Sequence, residues 1–125
     1  MICMKKNDPF SIRARGNSFR YAIAGLRDFF SRQHNALIHL LATVTVFLLA
    51  IVIPVSVAEM IALVVAMGFV WTSELLNTAI EQVMDFISEK QDDRIRYIKD
   101  LSAAAVLVAA ITAMIVGCIV FIPKI

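Results

Sequence analysis

The chain has 125 residues, of which 60% are hydrophobic and 18% are charged. This length allows one small domain, and this composition favours a membrane protein over a compact soluble domain. The formal net charge is only +2. The membrane topology described below accounts for that charge, so we predict no nucleic-acid partner.

The first predicted element is an amphipathic surface helix over about residues 17–33. Asn17 and Ser18 are plausible N-cap residues for it. Apolar side chains recur along it at four, three and four residues, with arginines elsewhere on its surface: Phe19, Ile23, Leu26 and Phe30 beside Arg20, Arg27 and Arg32. This pattern suits a helix at the lipid headgroup boundary, and it suits equally a helix packed on its own bundle.

Three long apolar runs follow and predict membrane helices over residues 36–53, 57–85 and 99–122. The apolar core of the first and third runs carries no charge, whereas the second contains Glu59 near its start. Pro54 ends the first run and predicts a tight turn between antiparallel neighbours. A soluble three-helix bundle would need polar stripes that the apolar stretches 36–53, 57–72 and 101–122 lack. We therefore predict an all-α membrane protein with one domain over residues 1–125.

Basic residues predict which side of the membrane each connection faces. Seven Lys and Arg side chains precede His34 and four lie between Ser88 and Asp100, but the connection after Pro54 has none. By the positive-inside rule, the N-terminus and the second connection are cytoplasmic. No cleavable signal peptide is evident, because the first 33 residues are basic and interrupted by Pro9 and Gly16. We expect a multi-pass protein of the cytoplasmic (inner) membrane.

A polar stripe interrupts the second membrane helix in the segment ELLNTAIEQVMD, residues 74–85. Its polar members fall within about 100° of helical arc: Glu74, Asn77, Thr78, Glu81 and Asp85. Glu74 lies about 22 Å along the helix from Glu59, close to the inner edge of the hydrocarbon. Ionisable groups at that depth normally face a bundle interior or a water-filled cavity and mark function.

Two kinds of function fit this stripe. Carboxylates one or two turns apart can hold a divalent cation and leave a base free, and Lys99 could face a triphosphate, which together suit phosphoryl transfer. The same acids could line the ion path of a small oligomeric channel or transporter, and periodicity alone leaves both functions open.

His34 and His39 are five residues apart, which is the wrong helical spacing for joint metal ligation. Trp71 is interpreted as packing or an interface anchor.

The motif resembles the signature of the small prokaryotic diacylglycerol kinase and undecaprenol kinase family. The similarity includes the run from Glu74 to Asp85, then Lys99 and Asp100 followed by SAAAVLVAAI, and the N-terminal segment SFRYAIAGLR. The resemblance implies an N-terminal surface helix with three membrane helices in a homotrimer. It also implies an ATP-dependent kinase that phosphorylates the primary hydroxyl of a membrane lipid on the cytoplasmic side. Diacylglycerol, giving phosphatidic acid for phospholipid biosynthesis, is the favoured substrate, and undecaprenol is the alternative.

The same resemblance implies roles for individual residues. Glu74 is the expected general base, and Asn77 orients the hydroxyl or the phosphates. Glu81 is the expected Mg²⁺ ligand, and Gln33 stands where better-known members carry a second metal-binding glutamate. The expected nucleotide contacts are Tyr21, Lys99 and Asp100, with the segment Lys90, Gln91 and Asp92 near the adenine. Asp85 is either an auxiliary of the metal site or the solvated end of the helix.

Overall fold

A computed structural model describes residues 12–88 and 92–125 of the chain. These residues form four α-helices: α1 (Ile12–Arg32), α2 (His34–Val52), α3 (Val57–Ile87) and α4 (Asp93–Phe121), with a short 3-10 turn over Ile122–Lys124. Within these ranges there is no strand, so the all-helical prediction is confirmed. The three helices after α1, the last with its 3-10 turn, are each long and apolar enough to cross a membrane.

Helix α1 belongs to a compact unit of its own, separate from the unit formed by α2, α3 and α4. It begins at Ile12, earlier than the predicted caps, so Asn17 and Ser18 lie inside the helix. The Ser18 hydroxyl donates to the carbonyl of Ala14 at 3.1 Å, which is the usual bond of a serine within a continuing helix. The position of this helix at a membrane surface stays a prediction.

The turn between α2 and α3 is closed by a capping box. The Ser56 hydroxyl accepts from the Glu59 backbone N–H, and the Glu59 carboxylate accepts from the Ser56 N–H at 2.6 Å. Lys124 Nζ, from the end of the chain, donates to the same carboxylate at 2.6 Å and to the Pro54 carbonyl at 2.9 Å. Glu59 therefore has a structural role as a cap residue.

The ends of α3 and α4 extend into the segment predicted as a charged connection. Helix α3 continues to Ile87, and α4 begins at Asp93, well before the predicted start at residue 99. Asp92 caps α4 by accepting from the Arg94 N–H at 2.8 Å. Hydropathy indicates where a helix leaves lipid, but the backbone hydrogen bonds of a helix continue into water, so the helices exceed the apolar runs.

The apolar core lies toward the start of α3, where α3 packs on the end of α4. Its buried members are Leu63, Met67, Val120 and Phe121, with side chains from α2 packed against them. An apolar cavity of about 430 Å³ continues between α2, α3 and α4, and His39 and Thr43 are the most polar residues in its wall. The polar stripe occupies the other half of α3, so the core and the candidate site are at opposite ends.

Candidate active site

The polar stripe of α3 forms a column in which exposure increases along the helix. Glu74 is 3% exposed and Asn77 is 7% exposed, whereas Glu81 is half-buried and the Asp85 side chain is 61% exposed. The helical spacing predicted this shared face, because residues three and four apart lie one above the other. Burying a carboxylate as deeply as Glu74 costs free energy unless it is paired or hydrogen-bonded, and a carboxylate at such a position commonly marks a functional site.

Helix α4 supplies a hydrogen-bond partner to the middle of this column. The Ser102 hydroxyl donates to Asn77 Oδ1 at 2.7 Å, and both residues are buried. Asn77 Nδ2 in turn donates to Glu81 Oε1 at 3.3 Å. A chain of two hydrogen bonds thus connects α4 with the carboxylate that the sequence suggests as a metal ligand.

The open end of the column carries an ion pair between the same two helices. Lys99 Nζ lies 2.8 Å from Asp85 Oδ1, and the lysine side chain is 35% exposed. The structure therefore brings Lys99 to the column, where Asp85 is its partner. Asp100 lies beyond this pair: it is exposed and faces Arg96, one turn earlier on α4, at 3.7 Å.

His39 of α2 approaches the buried end of the column, and sequence reasoning missed this contact. Its Nε2 atom lies 3.9 Å from Glu74 Oε2, within ion-pair range but longer than a hydrogen bond. The imidazole also meets the edge of the Trp71 ring, at a centroid distance of 6.2 Å. Trp71 itself donates from Nε1 to the Thr43 hydroxyl at 3.1 Å, so these contacts connect α2 with α3 around Glu74.

Spacing within one helix could not reveal this partner of Glu74. The two histidines are unsuited as a pair, and an acidic partner for His39 lies 35 residues away on another helix. The available signal was a single imidazole near the start of an otherwise uncharged predicted span. Such a polar group normally has a partner across the bundle.

The donor atoms of the column suit a hard cation that needs few protein ligands. Among residues 12–88 and 92–125, no three His, Cys, Asp or Glu side chains cluster as a metal site. Mg²⁺ is commonly held by one or two carboxylates, with water and substrate phosphates completing its six positions. Glu81, half-buried beside Asn77, offers such a carboxylate, so the residues present fit Mg²⁺ bound together with a nucleotide.

The other predicted contacts belong to other segments of the chain. Tyr21 lies in α1 and Gln33 directly follows it, with the Gln33 N–H donating to the Phe29 carbonyl at 3.0 Å. Both belong to the separate N-terminal unit. Lys90 and Gln91 lie outside the described residues, and the Asp92 carboxylate is engaged as the cap of α4.

Comparison with known proteins defines the class to which this helical membrane protein belongs. The family described as prokaryotic diacylglycerol kinase matches residues 20–121, which include α2, α3, α4 and the whole polar column. The chain belongs to this family. It is accordingly a lipid kinase, an enzyme of the membrane that uses ATP. Membership of this family favours phosphoryl transfer over an ion path as the function of the polar stripe.

Two curated relatives match most of the chain. The undecaprenol kinase of Bacillus subtilis is 32% identical over 107 residues, covering 86% of this chain and 87% of that protein. The diacylglycerol kinase of Synechocystis sp. is 37% identical over 107 residues, covering 85% of this chain and 61% of that protein. The two relatives therefore agree on lipid phosphorylation and differ in the lipid that they are named for.

Proposed function

We propose that this chain transfers the γ-phosphoryl group of ATP to the primary hydroxyl of a membrane lipid, with diacylglycerol favoured and phosphatidic acid as the product. The observation that carries the proposal is the column of Glu74, Asn77 and Glu81. Its buried end lies among apolar helices, and its open end lies beside Lys99. A lipid hydroxyl and a water-borne triphosphate have to meet at such a boundary.

In the proposed reaction, the lipid hydroxyl oxygen forms a bond to the γ-phosphorus as the bond from that phosphorus to the bridging oxygen of ADP breaks. Glu74 accepts the hydroxyl proton, because it is the carboxylate of the column that lies deepest among the apolar helices. The apolar cavity beside His39 offers surface for the lipid chain. Phosphoryl transfer depends mostly on such positioning and on charge neutralisation.

The open end of the column is assigned to the nucleotide. Glu81 would hold Mg²⁺, which neutralises charge on the triphosphate, and Gln33 is proposed as a second oxygen donor to it. Lys99, now paired with Asp85 at 2.8 Å, would exchange that partner for phosphate oxygens. Asp85 then acts as the counter-ion that keeps the lysine in place before ATP binds.

Five further residues are proposed as nucleotide contacts from the family resemblance. Tyr21 would contact ATP from α1, and Asp100 would hold the nucleotide beside Lys99. Lys90 and Gln91, together with Asp92, would lie near the adenine. We also propose a homotrimer with active sites shared between protomers, in the inner membrane, with the N-terminus and the active site on the cytoplasmic side.

Undecaprenol is the second candidate substrate, because the relative named for it matches over 87% of its length. Purified protein given both lipids at equal mole fraction in mixed micelles, with Mg²⁺ and [γ-³²P]ATP, tests the choice. We expect labelled phosphatidic acid to form faster than undecaprenyl phosphate. The reverse order would reassign the substrate, and label in neither lipid would contradict the proposed function.

His39 is expected to support Glu74 in this reaction. A movement of about 1 Å would bring its imidazole within hydrogen-bond range of the Glu74 carboxylate. Replacing His39 with Leu should lower kcat by about tenfold, the scale of one hydrogen bond to a charged group, and leave the KM for ATP unchanged. The matched control is His34→Leu at an exposed position. Equal kcat values for the two variants would remove His39 from the site.

Gln33 gives a test of the second metal ligand. An amide oxygen attracts Mg²⁺ less strongly than a carboxylate does, so Gln33→Glu should lower the Mg²⁺ concentration needed for half-maximal activity if residue 33 is a ligand. The measurement is a magnesium titration at fixed ATP, with Gln82→Glu on α3 as the control for added charge. A titration midpoint unchanged from that of the parent chain would count against metal ligation at residue 33.

A further inference from the structure

We propose that Ser102 is a positioning residue that fixes the orientation of the Asn77 amide, so that Asn77 acts as a hydrogen-bond donor and not as a metal ligand. The inference deepens the proposed function and rests on it for the catalytic meaning of Asn77. Its structural basis is the chain of hydrogen bonds from Ser102 through Asn77 to Glu81.

The contact between Ser102 and Asn77 is short and sheltered from solvent. Ser102 is 8% exposed and Asn77 is 7% exposed, and their side-chain oxygens are 2.7 Å apart. The two residues are 25 positions apart in sequence and lie on α4 and α3. Water is therefore a poor substitute for either partner, and the bond depends on how these two helices pack.

The chemistry of the three side chains allows one orientation of the amide. Ionised Glu81 can only accept hydrogen bonds, so the NH₂ group of Asn77 has to face it. The amide oxygen then faces Ser102, and the serine hydroxyl has to be the donor. The reverse orientation would place the amide oxygen against the Glu81 carboxylate, and two acceptors that face each other without a donor are unfavourable.

The Ser102 hydroxyl has a second acceptor within reach. Its oxygen lies 2.9 Å from the backbone carbonyl of Lys99, and a single hydroxyl proton serves one acceptor at a time. A serine in a helix often bonds back to the preceding turn. At Ser102 the bond to the Lys99 carbonyl competes with the bond to Asn77, because the hydroxyl lies between the amide and the turn that carries Lys99.

This arrangement decides between two possible uses of the Asn77 amide, as a hydrogen-bond donor and as a metal ligand. With its oxygen held by Ser102, the amide presents N–H groups to Glu81 and to phosphate or hydroxyl oxygens in the site. Without the hydroxyl, the amide can rotate, turn its oxygen toward the column and leave the Glu81 carboxylate without its donor. Loss of one hydroxyl group on α4 therefore disturbs the proposed metal ligand on α3.

The kinetic test compares Ser102→Ala with Thr112→Ala. Thr112 is an exposed residue of the same helix whose hydroxyl bonds to the Val108 carbonyl at 2.9 Å. We expect Ser102→Ala to lower kcat by about tenfold and to raise the Mg²⁺ midpoint, whereas Thr112→Ala should do neither. In a background that carries Asn77→Ala, Ser102→Ala should have little further effect, because both changes act on one interaction. Additive effects of the two changes, or an unchanged Mg²⁺ midpoint, would overturn the proposal.

A second measurement does not depend on enzyme activity. The chain has four asparagines, so the Asn77 side-chain NH₂ signals in protein labelled with [¹⁵N]asparagine are assigned by their loss in Asn77→Asp. These signals should shift or broaden in Ser102→Ala and stay in place in Thr112→Ala. Unchanged Asn77 signals in Ser102→Ala would refute the positioning role even if the protein is an active kinase. A shift in a protein that phosphorylates no lipid would refute the proposed function alone.

Discussion

Replacing Glu74 with Gln is expected to lower phosphoryl transfer to lipid by about 10²–10⁴-fold, the range associated with loss of a general base. The amide keeps the size of the side chain but cannot accept the hydroxyl proton. Glu74 is 3% exposed and lies 3.9 Å from His39, so no bulk water has access to take its place. The measurement is kcat at saturating ATP, Mg²⁺ and lipid.

The matched control for this variant is Glu59→Gln, the same chemical change on the same helix. Glu59 belongs to the capping box and pairs with Lys124 at the opposite end of α3. We expect that variant to retain the parent kcat within about twofold, the spread of substitutions away from a catalytic group. Similar losses in both variants would show that damage to α3, not loss of a base, explains the result.

Replacing Glu81 with Gln has the second largest expected effect, which is on the Mg²⁺ concentration that the reaction needs. Glu81 is the half-buried carboxylate that accepts from Asn77 Nδ2 at 3.3 Å, and its charge attracts the cation more than an amide would. We expect the Mg²⁺ concentration at half-maximal activity to rise by about tenfold or more, since even supporting residues of metal sites act on that scale. A magnesium titration at fixed ATP measures it.

The two variants should differ in a way that separates their roles. The residual activity of Glu74→Gln should keep the parent magnesium midpoint, because that residue is assigned to the lipid hydroxyl. Excess Mg²⁺ should restore part of the activity of Glu81→Gln and none of that of Glu74→Gln. Restoration of both variants by Mg²⁺ would place both carboxylates on the metal and contradict the assignment of Glu74 as the base.

Much of the fold could be predicted because it depends on patterns local in sequence. The apolar runs predicted three membrane-spanning helices, and helical spacing predicted the shared face of Glu74, Asn77 and Glu81. The ends of α1, α3 and α4 were less predictable, because hydropathy reports contact with lipid while helix ends depend on backbone hydrogen bonds. Asp92, for example, is the N-cap of α4, although the apolar run predicted that this helix starts at residue 99.

The partners of the column could not be predicted from one helix. His39 comes from α2 and Ser102 from α4, and their contacts with Glu74 and Asn77 depend on how the helices pack. In the sequence, Ser102 begins the run SAAA, whose small side chains allow close approach of helices. Only the tertiary contact with Asn77 shows that Ser102 has a role that the alanines after it do not have.

The most direct test is a phosphate-transfer assay with the purified protein. The chain in mixed micelles is supplied with Mg²⁺, [γ-³²P]ATP and either diacylglycerol or undecaprenol, and the lipid products are separated and counted. We expect label in the lipid fraction that depends on added lipid alcohol and on Mg²⁺, with Glu59→Gln active and Glu74→Gln nearly inactive. Absence of label from both lipids, or label equally strong with Glu74→Gln, would contradict the account.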